Sequence, residues 1–187
     1  MASPNDLLYV KTVCPDIVGP ILEVGSLDIS VASFRNYFLE KDFTGTDIEE
    51  GPGVDVVCDL TDNNNPLPKN HYNFVICCSV FEHIPNPWVM ADVISTLVKP
   101  GGSLYMNCPW VWRYHKYPDD YYRYSFKAIE YLFPQFTWSN HAYSTELPDT
   151  ISFVNRDSDF DRGRAEIINQ KKYLPYSIIN MLGTKNA

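Results

Sequence analysis

The feature that most constrains the fold of this chain is a nearly unbroken apolar run, Tyr72–Cys78. A strand with one solvated face would alternate apolar and polar residues, and this run does not. Strands buried on both faces are typical of parallel sheets, in which crossover helices cover each side. The run therefore predicts a central strand of an α/β sheet.

Strand-like and helix-like patterns alternate along the rest of the chain, which indicates βαβ units. We therefore expect a single α/β domain over residues 1–187, with a Rossmann-like, mostly parallel central sheet and helices on both faces. Residues 145–175 fit no clear pattern apart from a short helix at 166–173. The predicted strands span 21–25, 43–48, 54–58, 72–78, 103–108, 136–138 and 177–183, and the predicted helices span about 29–40, 87–98 and 125–133.

The charge is unevenly distributed and excludes one class of function. The net charge is −8, and residues 1–100 carry 5 basic against 14 acidic residues, whereas residues 101–187 carry 10 against 9. Non-specific nucleic-acid binding depends on neutralising phosphates, so the acidic first half argues against a nucleic-acid partner. The second half is compatible with an anionic small substrate.

The sequence also indicates a cytoplasmic protein without a membrane partner. No apolar run approaches the roughly 20 residues that span a bilayer. The N-terminal residues 1–6 lack the basic and apolar regions of a signal peptide. The five cysteines form no C-x-x-C pair, which favours free thiols in a reducing compartment over disulfides or zinc.

Three acidic residues follow or end predicted strands, where open α/β sheets bind ligands. Glu23 precedes the glycine that closes the first strand, and a carboxylate there would repel a pyrophosphate but suit a cationic amino-acid group. Asp47 comes 24 residues later, near the spacing at which an acid accepts hydrogen bonds from ribose hydroxyls. Asp59 follows the third strand and is placed to reach an adenine amino group.

Four segments, in order and at suitable spacing, resemble motifs of class I S-adenosylmethionine-dependent methyltransferases, in particular the small type 11-like domains. They are 21–26, 43–47, 74–84 and 97–104. The resemblance implies that the last strand is antiparallel, that about 20–109 bind the cofactor S-adenosylmethionine, and that about 110–187 face the substrate. Within it, Glu23 and Gly25 would face the methionine part, Asp47 the ribose, Asp59 the adenine, and the Ser79 backbone the cofactor. The full set of cofactor-binding candidates is Glu23, Gly25, Ser26, Asp47, Ile48, Asp59, Leu60 and Ser79.

The turn after the first strand departs from the family pattern E-x-G-x-G-x-G. Leu27 and Ile29 stand where two glycines are usual, and glycine there permits positive φ and close backbone approach. Branches with a Gly-Ser-x-Asp turn followed by Gly-Pro-Gly-Val-Asp-Val-Val tolerate this change, and residues 51–57 match the second signature. We therefore expect a variant cofactor loop; a lost cofactor site is the alternative.

Each candidate also has a structural interpretation. Glu23 could pair with a helix N-terminus, and Asp47 could be an ordinary turn residue. Asp59 could belong to the polar loop that contains Asp62 and residues 63–65. The pair Glu82 and His83 could cap a helix.

The segment 115–124, after the fifth strand, mixes tyrosines with charged residues. Its structural interpretation is a surface loop with locally paired charges, but binding loops favour such a composition. His115 titrates nearest neutrality, and an acid could accept a proton if buried. The catalytic candidates are therefore His115, Asp119 and Asp120, and the substrate-binding candidates are Tyr117, Tyr121 and Arg123.

These features favour methyl transfer from S-adenosylmethionine to a small-molecule acceptor. One rival is an NAD-dependent oxidoreductase, which Glu23 and the missing G-x-G-x-x-G disfavour. The other is a degenerate methyltransferase fold that serves as a ligand-binding or partner module. The four histidines are scattered in the sequence, which predicts no preformed metal site. Without an inserted cap, the acceptor site is either shallow or completed by a second subunit of a homodimer.

Overall fold

The computed structural model describes residues 3–27, 33–38, 41–116, 118–145, 147–154 and 176–187. These residues form an eight-stranded sheet with helices packed against it. The helices are α1 (Pro4–Val13), α2 (Phe34–Tyr37), α3 (Pro87–Leu97) and α4 (Phe126–Leu132), with a 3₁₀ turn at Phe81–His83. The strands are β1 (Ile21–Val24), β2 (Phe43–Asp47), β3 (Val56–Val57), β4 (Tyr72–Cys78), β5 (Val98–Val111), β6 (Phe136–Ser144), β7 (Ile151–Phe153) and β8 (Ser177–Lys185).

The strand order is β3-β2-β1-β4-β5-β8-β6-β7. The first five strands pair in parallel, and β8 lies antiparallel between β5 and β6. A further short strand, β7, pairs antiparallel with β6 at the edge. The fold prediction is therefore confirmed: a mostly parallel Rossmann-like sheet with an antiparallel last strand.

Strand β4 is central, as its apolar run predicts, and only Asn73 within it is not fully buried. Val75 and Cys77 join the core cluster beneath α3 and α4, whereas Phe74 and Ile76 join the cluster beneath α1 and α2. Successive side chains of a strand point to opposite faces, so helices must cover both sides of this strand.

Helix α1 was not predicted from the sequence. Ser3 and Asp6 form a capping box, in which the Ser3 side chain accepts from the Asp6 amide and Asp6 accepts from the Ser3 amide. Pro4 occupies the first turn, where its missing N–H has no helical partner to lose. Tyr9 and Val10 are fully buried against the sheet, so this helix is part of the core.

Several boundaries differ from the predictions. Residues 99–102 were expected to separate a helix from a strand, but β5 already begins at Val98 and these residues form an irregularity within its pairing to β4. Strand β6 extends beyond 138 to Ser144, and β3 is shorter than 54–58. Of the predicted helix 29–40, the described residues contain α2, while the predicted helix 166–173 lies outside the described residues.

Two sequence expectations concern environment. Within the part of the chain that the structure describes, no helix has the length and apolar character needed to cross a bilayer. All five cysteines are free thiols, and Cys77, Cys78 and Cys108 are buried. Burial raises the pKa of each of these three thiols, which keeps them protonated at neutral pH.

Candidate functional site

The carboxyl ends of the parallel strands meet at one edge of the sheet, and the candidate site lies there. Gly25 directly follows β1, Asp47 ends β2, and Ser79 directly follows β4. Because β2, β1 and β4 are neighbours in the sheet, these three residues lie side by side. This edge is where open α/β sheets bind their ligands.

Gly25 is required by the turn that it forms. Its φ is +73°, a conformation that side chains disfavour, and a β-carbon added to it would lie 2.5 Å from Cγ2 of Val80. Its amide donates to the Thr46 carbonyl at 2.9 Å, and the Ser26 amide donates to the same carbonyl at 3.1 Å. The two hydrogen bonds therefore fix the turn to β2.

The residues after Gly25 pack closely against two glycines. Ser26 is buried beside Gly45, where a β-carbon on that glycine would lie 2.6 Å from the Ser26 Oγ. A β-carbon on Gly51 would collide with Cδ1 of Leu27. The leucine that replaces a family glycine thus fits because residue 51 has no side chain. The two unusual signatures of this sequence contact each other.

Asp47, the last residue of β2, connects the turn after β1 to the residues that follow β2. One carboxylate oxygen accepts from the Leu27 amide at 3.2 Å, and the other accepts from the Glu49 amide at 3.2 Å. A carboxylate has about four lone-pair directions, so two amide bonds leave acceptor capacity for ligand hydroxyls. Asp47 is half-buried, which keeps it accessible.

The remaining predicted cofactor residues on this side differ in exposure. Asp59 is exposed, and its Oδ1 accepts from both the amide and the hydroxyl of Thr61 at 2.7 Å, an Asx turn that agrees with its structural interpretation. Leu60 is 3% exposed, and its side chain belongs to the core. Ile48 is 55% exposed beside Asp47 and offers an apolar surface.

Ser79 adopts a strained conformation at the end of β4. Its φ is +52°, which is uncommon for a residue other than glycine. Its amide donates to the Asn107 carbonyl at 3.0 Å, and its hydroxyl donates to Asn107 Oδ1 at 3.1 Å. Asn107 of β5 therefore holds Ser79 in this conformation.

Asn107 belongs to a buried polar network that the sequence did not reveal. Its Nδ2 donates to Oδ1 of Asp6 at 2.7 Å and to Oδ1 of Asn180 at 3.0 Å. The Tyr105 hydroxyl donates to Asn180 at 2.7 Å. Burial raises the pKa of Asp6 to about 6. The network connects α1 to strands β5 and β8 and, through Asn107, to Ser79.

The second part of the site joins the 3₁₀ turn after β4 to residues 112–116 and 118–124 after β5. The carbonyl of Glu82 accepts from the Tyr121 amide at 2.7 Å and from the Tyr122 amide at 3.3 Å. The Tyr124 hydroxyl donates to the Phe81 carbonyl at 3.1 Å. The aromatic and charged segment thus folds back onto the 3₁₀ turn.

Asp120 organises this segment. Its carboxylate binds Arg123 through two hydrogen bonds of 2.5 and 2.8 Å, and its side chain is 1% exposed. These bonds hold the pKa of Asp120 well below its usual range, so it carries a charge and is only a weak base near neutral pH. Asp120 also accepts from the His115 amide at 2.8 Å and lies 3.0 Å from His115 Nδ1. It positions His115.

Asp119 contacts the site mainly through its backbone. Its carbonyl lies 2.5 Å from Nδ1 of His83, and its carboxylate accepts from the Tyr114 hydroxyl at 2.7 Å. That hydrogen bond lowers the pKa of Asp119, which also disfavours it as a base. Burial lowers the pKa of His83, so its imidazole is neutral at pH 7.

Glu82 is a further acidic side chain of this area, and the sequence did not assign it to the site. It is 1% exposed, and burial raises its pKa to about 7. Its Oε1 lies 3.7 Å from Nε2 of His83, and its buried Oε2 has no hydrogen-bond partner. The rings of His83 and His115 meet edge to face with centroids 4.8 Å apart.

The remaining sequence candidates are distributed as follows. Glu23 is half-buried in β1, and Tyr121 is 49% exposed beside the 3₁₀ turn. Tyr117 lies outside the described residues. Asn107 and Asp6 were missed as parts of the site frame. The capping-box pattern at Ser3 and Asp6 is the signal that could have revealed the helix carrying one of them.

A surface cavity lies at the opposite, amino edge of the sheet. It is lined by residues 14–18, by Asn73 and Phe74 at the start of β4, and by residues 99–103 at the start of β5. None of the predicted site residues belongs to this lining. The cavity is therefore separate from the site described above.

Comparison with known proteins identifies a common domain. A family model described as a methyltransferase domain matches residues 19–149. Among curated proteins, the ubiquinone biosynthesis O-methyltransferase of Yersinia pestis (strain Pestoides F) is 30% identical over 60 residues. That match spans 32% of this chain and only 25% of the relative.

Solved structures share the fold at low sequence identity. The phosphoethanolamine N-methyltransferase 2 of Haemonchus contortus, in complex with S-adenosyl-L-methionine, superposes with a TM-score of 0.62 at 15% identity. That alignment covers 98% of this chain and 52% of the other. The 1,6-didemethyltoxoflavin-N1-methyltransferase of Burkholderia thailandensis, with 1,6-didemethyltoxoflavin and S-adenosylhomocysteine bound, gives 0.63 at 12% identity and covers 98% and 77%.

Proposed function

The chain belongs to the family of methyltransferase domains, and from this premise we propose that it methylates a small-molecule acceptor with S-adenosylmethionine. The observation that carries the proposal is the convergence of Gly25, Asp47 and Ser79 at the carboxyl edge of the sheet. Relatives with this fold hold the methyl donor or its demethylated product, as the Haemonchus and Burkholderia enzymes do.

The residues at this edge fit the methyl donor. Gly25 allows the tight turn after β1, because a side chain at this position would collide with Val80. Asp47 retains acceptor capacity for ribose hydroxyls, and Ile48 offers an apolar surface for an adenine ring. Together they match a ligand with a sugar and an aromatic base.

Bound S-adenosylmethionine supplies an electrophilic methyl group on its sulfonium, so the chain needs to align the acceptor and exclude water. The acceptor would lie against the 3₁₀ turn and the exposed aromatic side chains of Tyr114 and Tyr121. His115, positioned by Asp120, is the group best placed to take a proton from the acceptor. Asp119 and Asp120 support it and do not replace it.

A degenerate, non-catalytic fold is the alternative that Leu27 favoured in the sequence. The packing of Leu27 onto Gly51 speaks against it, because the larger side chain is accommodated beside a residue that has no side chain. The variant turn therefore supports a modified cofactor site over a lost one.

Calorimetry with S-adenosylmethionine and S-adenosylhomocysteine tests the proposal. We expect binding by the wild type and at least tenfold weaker binding by Asp47→Ala. Asp92→Ala is the matched control, since Asp92 is an exposed acid on α3, away from the strand ends. Absence of binding at millimolar ligand, or equal affinity in Asp47→Ala and the wild type, would contradict the proposal.

A further inference from the structure

We propose that Glu82, His83 and His115 form a binding site for a divalent first-row transition-metal ion on the acceptor side of the sheet edge. One ligand atom from each of the three lies within 4.8 Å of the others. The residues come from two segments: Glu82 and His83 follow β4, and His115 follows β5. Parallel pairing of these strands brings the segments together.

The hydrogen bonds of both imidazoles involve Nδ1 and leave Nε2 available to bind a metal ion. Nδ1 of His83 faces the Asp119 carbonyl, which can only accept, so this nitrogen carries the proton. Nδ1 of His115 faces the Asp120 carboxylate at 3.0 Å and the Arg113 carbonyl at 3.3 Å, which are also acceptors. In each neutral ring the lone pair is therefore on Nε2. Metal-binding histidines are held in this way by a carbonyl or carboxylate on the other nitrogen.

Glu82 supplies the anionic ligand. Its side chain is 1% exposed, its Oε1 is 3.7 Å from His83 Nε2, and its Oε2 is buried with no hydrogen-bond partner. Leaving such an oxygen unsatisfied is unfavourable, and a cation would satisfy it.

Arg123 is the nearby cation that could satisfy Glu82 instead, but its hydrogen bonds are directed elsewhere. Its two terminal nitrogens donate to the Asp120 carboxylate and to the carbonyls of Trp112, Arg113 and Tyr122. The guanidinium charge is thus taken up by Asp120. The carboxyl group of Glu82 and the two imidazoles therefore have no hydrogen bond to the Arg123 guanidinium, which would otherwise compete with a metal ion.

The donor set indicates the class of ion. Two imidazoles and one carboxylate suit Zn²⁺, Fe²⁺ and related ions, whereas Mg²⁺ and Ca²⁺ prefer oxygen ligands. Tetrahedral bonds of about 2.1 Å to the metal place donor atoms about 3.4 Å apart, so the most widely separated pair must approach by up to about 1.4 Å. His115 is partly exposed in a connecting segment, so rotation of its side chain can provide this approach.

Three protein ligands leave coordination positions open for an acceptor. An ion there would bind an acceptor oxygen and lower the pKa of its proton, which favours hydroxyl-bearing acceptors. This role rests on the proposed function, whereas ion binding does not. With the ion in place, His115 acts as a ligand and not as the base.

The test is calorimetric titration of the EDTA-treated, dialysed full chain with Zn²⁺ and with Co²⁺, whose visible absorption also reports coordination. We expect one ion per chain. Affinity should fall at least tenfold in Glu82→Gln and His115→Gln, and about 10- to 100-fold in the supporting variant Asp120→Asn. His71→Gln is the matched control because His71 is exposed and distant from the cluster, and it should bind like the wild type.

Binding that is weak and non-stoichiometric, or equal in all variants, would overturn the proposal, as would binding of Mg²⁺ in preference to Zn²⁺. If Glu82→Gln does not fold, His115→Gln decides, since His115 is not part of the core. S-adenosylhomocysteine binding measured on the metal-free chain separates the two proposals. Binding of S-adenosylhomocysteine without metal binding would contradict only the metal site. Metal binding without binding of S-adenosylhomocysteine would contradict the proposed function.

Discussion

The side chain of Leu27 occupies the position that a β-carbon on Gly51 would need. The contact explains how a leucine can replace a glycine in the turn that follows β1. It joins two loops that are far apart in the sequence, and the Leu27 amide also donates to Asp47. The fit of this pair should therefore determine the geometry of the cofactor side.

The Leu27–Gly51 contact predicts coupled effects of substitution. Gly51→Ala should displace Leu27 and weaken S-adenosylhomocysteine binding about fivefold, because the added methyl group collides with its Cδ1. Leu27→Ala in the same chain should restore most of the affinity. A double-mutant cycle by calorimetry should give a coupling of about 1 kcal/mol. Additive effects would show that the two residues do not act together.

Gly25→Ala should be strongly destabilising for two reasons. The positive φ alone should lower the free energy of unfolding by about 1–2 kcal/mol, and the close approach to Val80 should add about 1–3 kcal/mol. Gly101→Ala is the matched control, since Gly101 also has a positive φ but no atom within 4 Å of its added β-carbon. Urea unfolding should separate the two contributions; equal losses in both variants would exclude the Val80 collision.

Arg123→Ala should leave the buried Asp120 charge without its partner. We expect a loss of about 2–4 kcal/mol in the free energy of unfolding at pH 7. Because the folded pKa of Asp120 is depressed, this contribution is present above the unfolded value near 4 and is lost as the pH falls below it. The difference between wild type and variant should thus shrink at pH 3.

Lys127→Ala is the control for that experiment. Its ion pair with Glu130 has the same spacing along the chain but is exposed at the lysine, so its loss should change stability by less than about 0.5 kcal/mol. A similar loss in both variants would contradict the structural role of the Asp120–Arg123 pair.

Asp6 should make stability depend on pH in the opposite sense. Its folded pKa of about 6 lies above the unfolded value, so the folded state holds the proton more tightly. This contribution is complete below pH 4 and is lost as the pH rises through 6. Relative to Asp6→Asn, the wild type should lose about 3 kcal/mol between pH 4 and pH 8. Denaturant unfolding across this range is the measurement, and a constant difference would rule out Asp6 as the titrating group.

The sequence predicted the parts of the fold that rest on local pattern. The run in β4 and the alternation around it indicate the parallel sheet, and the acid and glycine positions at strand ends indicate the site. Helix α1 escaped prediction because its buried residues, among them Tyr9 and Val10, do not form a continuous apolar stripe.

The relationships between distant residues could not be predicted in this way. His83 and His115 meet because β4 and β5 pair, and the number of residues between them does not predict this contact. The same is true of Leu27 over Gly51 and of Asn107 beneath Ser79. Long-range packing supplies these contacts, whereas sequence pattern reports only the faces of single elements.

The amides of Tyr121 and Tyr122 donate to the Glu82 carbonyl, so the backbone of this segment is fixed independently of its side chains. Main-chain bonds do not depend on side-chain identity, so the frame between the two post-strand segments survives most substitutions within them. The exposed faces of Tyr114 and Tyr121 can therefore change during evolution without loss of the frame. Under the proposed function, new acceptor preferences can arise here by point mutation, while the sheet edge that we propose for the methyl donor stays constant.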